Sequence, residues 1–287
     1  MMSLRIGGVP EHFNLPWHLA LADGAAQAAG IDVQWQDFPD GSGAMAQALR
    51  EQRLDVAMLL TEGAVAGIAA GGFKIVSLYT ESPLLWGIHV PASSRFREVA
   101  DLAGARYAIS RRGSGSHLMA VVHARRQGWP LDALELVLVR NLEGAIEAFA
   151  KGTADVFFWE KFMTKPLVDD GRFRRVADFA APWPAFVVCA SDAALSRHGP
   201  SLRALLATVL DRSAAFAKSA DAAARIAARY GLQPRDAADW LAGTRWAARV
   251  GIERRAIEPV VDALHAVGLV DAGFAAASAL AQLPLTS

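Results

Sequence analysis

What this chain has little of narrows its roles first. It carries a single cysteine, Cys189, in 287 residues, so neither an internal disulfide nor a thiolate metal cluster can form. Set in the apolar run 186–190, that thiol reads as a small buried hydrophobe. Charge of one sign is also missing. The 29 Lys and Arg balance the 29 Asp and Glu, so the basic surplus that nucleic-acid binding draws on is not there. No apolar stretch approaches the roughly 18 uninterrupted residues of a membrane span, and no membrane insertion is expected. The opening MMSLRIGGV has no positive n-region, apolar h-region or small-residue cleavage site, which predicts a cytoplasmic protein; a leader removed ahead of this numbering would make it periplasmic. The seven histidines, at 12, 18, 89, 117, 123, 198 and 265, form no HExxH pair and no close cluster, so no metal or other cofactor is expected. GxSxG, GxGxxG and the GxxxxGK[ST] loop are absent as well.

What is present is apolar and periodic. Hydrophobic residues make up 53% of the chain, enough for one or two domains with a large core. Residues 4–9 read as a buried strand, and a helix is predicted from about Trp17 to Ala29, with Pro16 near its first turn and Gly30 as its stop. Ile31, Val33 and Trp35 alternate as a strand, and Gly41 to Gly43 open a helix. Residues 54–60 have too little alternation for a half-exposed strand and read as parallel and covered on both faces. A helix from Thr61 and a strand over 73–79 follow. The middle of the chain repeats the order: strand 106–110, helix 115–127 ending at Gly128, strand 134–139, Asn141 as N-cap, and strand 154–159. This alternation predicts an α/β fold with a mainly parallel sheet.

Two stretches align on each other. Gly43-Ala44-Met45, Ala48-Leu49 and Asp55-Val56 lead to Glu62, as Gly144-Ala145-Ile146, Ala148-Phe149 and Asp155-Val156 lead to Glu160. The spacings differ by a residue or two, and two similar α/β lobes fit the pattern. Past Ser191 the chain turns Ala-rich and helical, with breaks at Gly231, Gly251 and Gly268. It is expected to contain no strand and to cap the first lobe.

Open α/β sheets bind ligands outside the carboxyl ends of their strands. That rule selects His12, Phe13, Asn14 and Trp17 after the first strand, Asp40 to Gly43 including Ser42, and Thr61 with Glu62. From the middle of the chain it selects Arg111 to His117, then Trp159 and Glu160. In Arg111-Arg112-Gly113-Ser114-Gly115-Ser116-His117 the glycines let backbone amides approach a ligand, Ser114 and Ser116 offer hydroxyls, and a helix start favours an anion. The alternative is a flexible turn with its arginines in solvent. Phe13, Trp17, Trp159 and Trp183, the last in a Pro182-Trp183-Pro184 turn, are candidates for an aromatic clamp on a flat ligand; core packing is the competing role. Glu160 is expected to pair with Lys165 or to accept from a ligand amine.

The strings LRIGGVPEHFNLPWHLA, DLAGARYAISRRGSGSHLMA and ADVFFWEKFMTKPLVDDGRFRRV, with PWPAFVVCAS, resemble leaderless members of the type II periplasmic-binding-protein superfamily. The branch they resemble binds aliphatic sulfonates and thiamine (pyrimidine) precursors. The resemblance covers about residues 4–191. It implies a two-lobed type II periplasmic-binding-protein fold with a C-terminal helical extension. Residues 1–86 and 187–287 would form lobe 1 and residues 87–186 lobe 2, with a ligand cleft between them that closes by a hinge. It further implies a solute-binding protein of the ABC-transporter type, taking a small polar, anionic or aromatic molecule, with an ABC permease as the second partner. His12, Asn14, Ser42, Thr61, Ser114, Ser116 and Glu160 carry over to the cleft. A related iron-dependent pyrimidine synthase needs a cysteine-rich motif that Cys189 alone does not supply. The alternative is a cytoplasmic enzyme on the same fold, a menaquinone-pathway lyase or cyclase acting on a small carboxylate, with His12 or Glu160 as acid or base.

Overall fold

The apolar strands read from the sequence divide between two units. A computed structural model describes residues 2–28 and 30–284. Unit 1 comprises the described residues of Met1–Ser82, Trp183–Asp262 and Val270–Ser287, and unit 2 comprises Pro83–Pro182 and Ala263–Leu269. The elements run β1 (Met2–Gly8), α1 (Leu15–Ala22), α2 (Ala25–Ala28), β2 (Ile31–Asp37), α3 (Gly41–Arg50), β3 (Val56–Leu60), α4 (Thr61–Ile68) and β4 (Phe73–Pro91). They continue as β5 (Arg106–Ile109), α5 (Gly115–Gln127), β6 (Glu135–Leu138), α6 (Leu142–Ala150), β7 (Val156–Glu160), α7 (Lys165–Asp169) and β8 (Phe173–Ser191). Four further α-helices follow among the described residues: α8 (Asp192–Ala217), α9 (Ala222–Tyr230), α10 (Pro234–Gly243) and α11 (Glu258–His265).

The two units share one topology. In unit 1, β1 lies between β2 and β3 and is parallel to both, and β8 joins β3 antiparallel. In unit 2, β5 lies between β6 and β7, parallel to both, and β4 joins β7 antiparallel. The central strand β3 is covered on both faces, with Val56, Ala57, Met58 and Leu59 fully buried, as its unbroken apolar run requires, and β1 buries Leu4 and Ile6 on one face.

An ion pair at the amino ends of β3 and β7 makes the repeat explicit. Arg5 donates its backbone N–H and Nε to Asp55 Oδ2 (2.8 and 3.0 Å) and Nη2 to Oδ1 (2.9 Å). Arg106 makes the same three bonds to Asp155, each at 2.9 Å. A guanidinium fork matched to a carboxylate is directional, so each clasp holds the first strand of its unit in register with the third.

Several local expectations change. The helix foreseen over residues 17–29 divides into α1 and α2 at Asp23 and Gly24, where Gly24 takes φ +73°. The strand over 73–79 is the first part of a 19-residue strand. Pro182-Trp183-Pro184 is not a turn but part of β8. Its prolines fall before the β3 register, which begins at Phe186, so β3 asks no N–H of them.

The C-terminal region is helical, and its two isolated bridges, Ile75 with Leu280 and Thr80 with Trp246, attach it to β4 within unit 1. Residues 263–269, however, group with unit 2. A methyl group built on Gly113 would stand 3.9 Å from Leu269, which shows how this short segment packs there. Among the described residues, no helix is long and apolar enough to cross a membrane.

Candidate functional site

The loop after β1 is held from every side. Residues His12–Asn14 make one 3-10 turn, fully buried. Asn14 Nδ2 donates to Val9 O (2.8 Å), while Phe13 O accepts from Tyr79 Oη (2.7 Å) and Trp246 Nε1 (3.2 Å). The His12 ring stacks on Trp240 at 4.3 Å, and Phe13 meets Trp240 edge-on at 5.0 Å. Burial lowers the His12 pKa to about 3, so the imidazole is neutral at pH 7. Gly8 is needed here because a Cβ would come within 2.6 Å of Asn14 Nδ2 and 2.8 Å of Trp35. Trp17, fully buried, lies 6.0 Å from Trp35.

At the end of β3, Ser42 Oγ accepts from Leu60 N (2.9 Å), and Thr61 Oγ1 donates to Pro184 O (2.5 Å). Beside them Glu62, 1% exposed, accepts from Trp183 Nε1 on Oε2 (2.8 Å). Its Oε1 has no hydrogen-bond partner. Burial raises this carboxyl to about 7, against the opposing pull of its own N–H and the Trp183 indole.

In unit 2 the loop from Ser110 to His117 is wound around its own serines. Ser114 caps α5, accepting from His117 N (3.3 Å) and donating to Arg111 O (2.7 Å). Ser116 Oγ accepts from Ser110 N (2.9 Å) and bonds Ser114 Oγ (3.0 Å). Gly113 N donates to His117 Nδ1 (3.0 Å), which fixes the ring proton on Nε2. Burial first, then Arg112, lowers the His117 pKa, so His117 is a neutral donor. Gly115 and Ser116 are the first helical residues of α5, and their amides have no intrahelical acceptor. Arg111 is partly exposed and Arg112 exposed.

At the end of β7, Glu160 is buried, and its Oε2 accepts from Phe162 N (2.8 Å) and Met163 N (2.6 Å). Lys165 pairs with Asp169. Trp159 is half-buried, stacked on Phe157 at 5.0 Å, and packs on the cluster around Phe149, Phe157 and Phe173. Each aromatic proposed as part of a clamp is thus engaged within its own unit.

The solved structures that this chain resembles identify the architecture. A Candida albicans protein, CA3427, described as defining a family with the generic periplasmic binding protein fold, superposes with a TM-score of 0.90 over 99% of this chain and 98% of that one, at 23% identity. This is a type II periplasmic-binding-protein fold. Residues 86–179 also match the family model described as Ca3427-like PBP. The alkanesulfonate-binding protein SsuA from Xanthomonas axonopodis pv. citri, bound to MOPS, gives 0.84 at 22% identity over 98% of this chain and 99% of that one. The periplasmic aliphatic sulphonate binding protein SsuA from Escherichia coli gives 0.79 at 18% identity over 100% and 94%. No curated protein sequence matches the chain.

Within this binding-protein fold, the residues that strand-end reasoning underrated are Glu62 and the C-terminal rings Trp240 and Trp246. Glu62 carried a usable signal, since it is the only charged residue between Val56 and Ala70. An ionisable group alone in an apolar run is buried when the run is. The rings carried none, because their partners His12 and Phe13 are more than 220 positions away.

Proposed function

We propose that the protein is a solute-binding protein whose unit 2 loop, Ser110 to His117, receives the anionic group of a small ligand, a sulfonate, phosphate or carboxylate. The observation carrying this reading is the division of labour in that loop. Its serine hydroxyls are spent on the loop itself. What remains as donors are the first α5 amides and His117 Nε2–H, which have no acceptor among the described residues. Amides at a helix start, with two arginines close in sequence, suit an anion. The likeness to the MOPS-bound alkanesulfonate-binding protein supports the same ligand class. An ABC permease as downstream partner, and lobe closure on binding, belong to this proposal.

A thermal-shift screen with alkanesulfonates, phosphate esters and small carboxylates tests it. A ligand at about 100 times its Kd adds roughly 2.7 kcal/mol, which raises Tm by several degrees in a chain of this size. His117→Ala should weaken a hit at least ten-fold while far-UV circular dichroism stays unchanged. If every anion leaves the melt unmoved, or if His117→Ala binds as tightly as the parent, the loop is not the anion site.

A further inference from the structure

Unit 1 presents the opposite chemistry at its own strand ends. Glu62 stands in the first turn of α4, directly after β3, at the sheet end where α/β folds take their ligands. Its Oε2 is held by Trp183 Nε1 at 2.8 Å, whereas Oε1 is buried and has no partner. Of the neighbouring hydroxyls, Thr61 Oγ1 donates to Pro184 O, while Ser42 Oγ accepts from Leu60 N. A Cβ at Gly63 would collide with Ser42 Cβ at 2.6 Å, so the first turn of α4 is packed tightly behind the carboxyl. Buried acceptors in folded proteins are almost always satisfied. An oriented carboxylate with one unpaired oxygen is complementary to an N–H donor. Glu11, after the adjacent strand β1, is a second carboxyl that burial raises to about 7. Two carboxyls on neighbouring loops disfavour an anion there.

We infer that Glu62 is a ligand contact: its Oε1 accepts a hydrogen bond from a nitrogen donor, an ammonium or an amino group on a heteroaromatic ring. This inference rests on the proposed binding role and narrows its substrate class to molecules with an N–H donor.

Matched pairs test the assignment on the full chain by titration calorimetry. They are taurine against ethanesulfonate, O-phosphoethanolamine against ethyl phosphate, and 4-aminopyrimidine against pyrimidine. The amine member should bind at least ten-fold more tightly in one pair or more. In Glu62→Gln that preference should fall to two-fold or less, with the amine-free member keeping its affinity. Equal affinities within the pairs on the parent protein overturn the inference whether or not the variant folds, as does a preference that survives in Glu62→Gln. Ethanesulfonate binding as well as taurine would leave the anion reading standing and remove the role of Glu62. Binding of 4-aminopyrimidine alone, lost in Glu62→Gln, would do the reverse. If no member of any pair binds, both are overturned.

Discussion

Glu62 should make the ligand-free protein less stable as pH rises, and Glu62→Gln should abolish that loss. Burial lifts the carboxyl from 4.5 in the unfolded chain to about 7 in the folded one. Between those values the folded state holds a proton that the unfolded state has released, so unfolding stability falls with rising pH. The contribution is fully present below about pH 4.5 and gone above about pH 7. A shift of roughly 2.5 units at 1.36 kcal/mol each amounts to about 3 kcal/mol. That is a large share of the 5–15 kcal/mol by which domains are typically stable. Glutamine keeps the side-chain length and an acceptor for the Trp183 indole, but it does not titrate. Urea unfolding of parent and variant from pH 4.5 to 8.5 reads the effect as the change in their stability difference. Any constant cost of a buried amide drops out, and so does the titration of Glu11, which both proteins share. The difference should move by about 3 kcal/mol in favour of glutamine between pH 4.5 and pH 8, with the m-value unchanged. A difference that stays flat across that range would refute the placement of Glu62 in a dry, unpaired environment.

Two further perturbations examine the scaffold. Asp55→Ala leaves the Arg5 guanidinium and its backbone N–H without their acceptor and should cost about 2 kcal/mol. Asp155→Ala should cost less, because its carboxylate is 23% exposed against 12% for Asp55; denaturant midpoints check the order, and a reversal would count against exposure as the deciding term. Ser114→Ala should cost about 1 kcal/mol through loss of the α5 cap while anion affinity, measured by calorimetry, falls less than in His117→Ala.

Much of the architecture could be read from local signals. The buried strands betray themselves as unbroken apolar runs, and the α5 cap and stop, Ser114 and Gly128, stand where a helix start and end are expected. The repeat was visible through Asp55 and Asp155, but their arginines were not, because a clasp fifty residues wide leaves no local pattern. The candidate site was harder to read for a related reason. Residue type and position at a strand end select Ser114, Ser116 and Glu160 for a ligand, yet what each one does depends on where its hydrogen bonds go. Glu160 accepts from Phe162 N and Met163 N, and Ser114 is a helix cap. Glu62 lacks such a commitment on one oxygen, and only tertiary packing reveals it.

The paired Arg–Asp clasps have a consequence for how such a protein can change over time. In both units the third strand is pinned at its amino end, and the loop that follows its carboxyl end takes no part in the clasp. A substitution in those loops, where we propose that ligand is recognised, therefore leaves the strand alignment in place. That separation leaves the recognition end free to diversify under selection while the frame is inherited unchanged. A superposition as close as 0.90 alongside only 23% identity is the outcome such a separation allows.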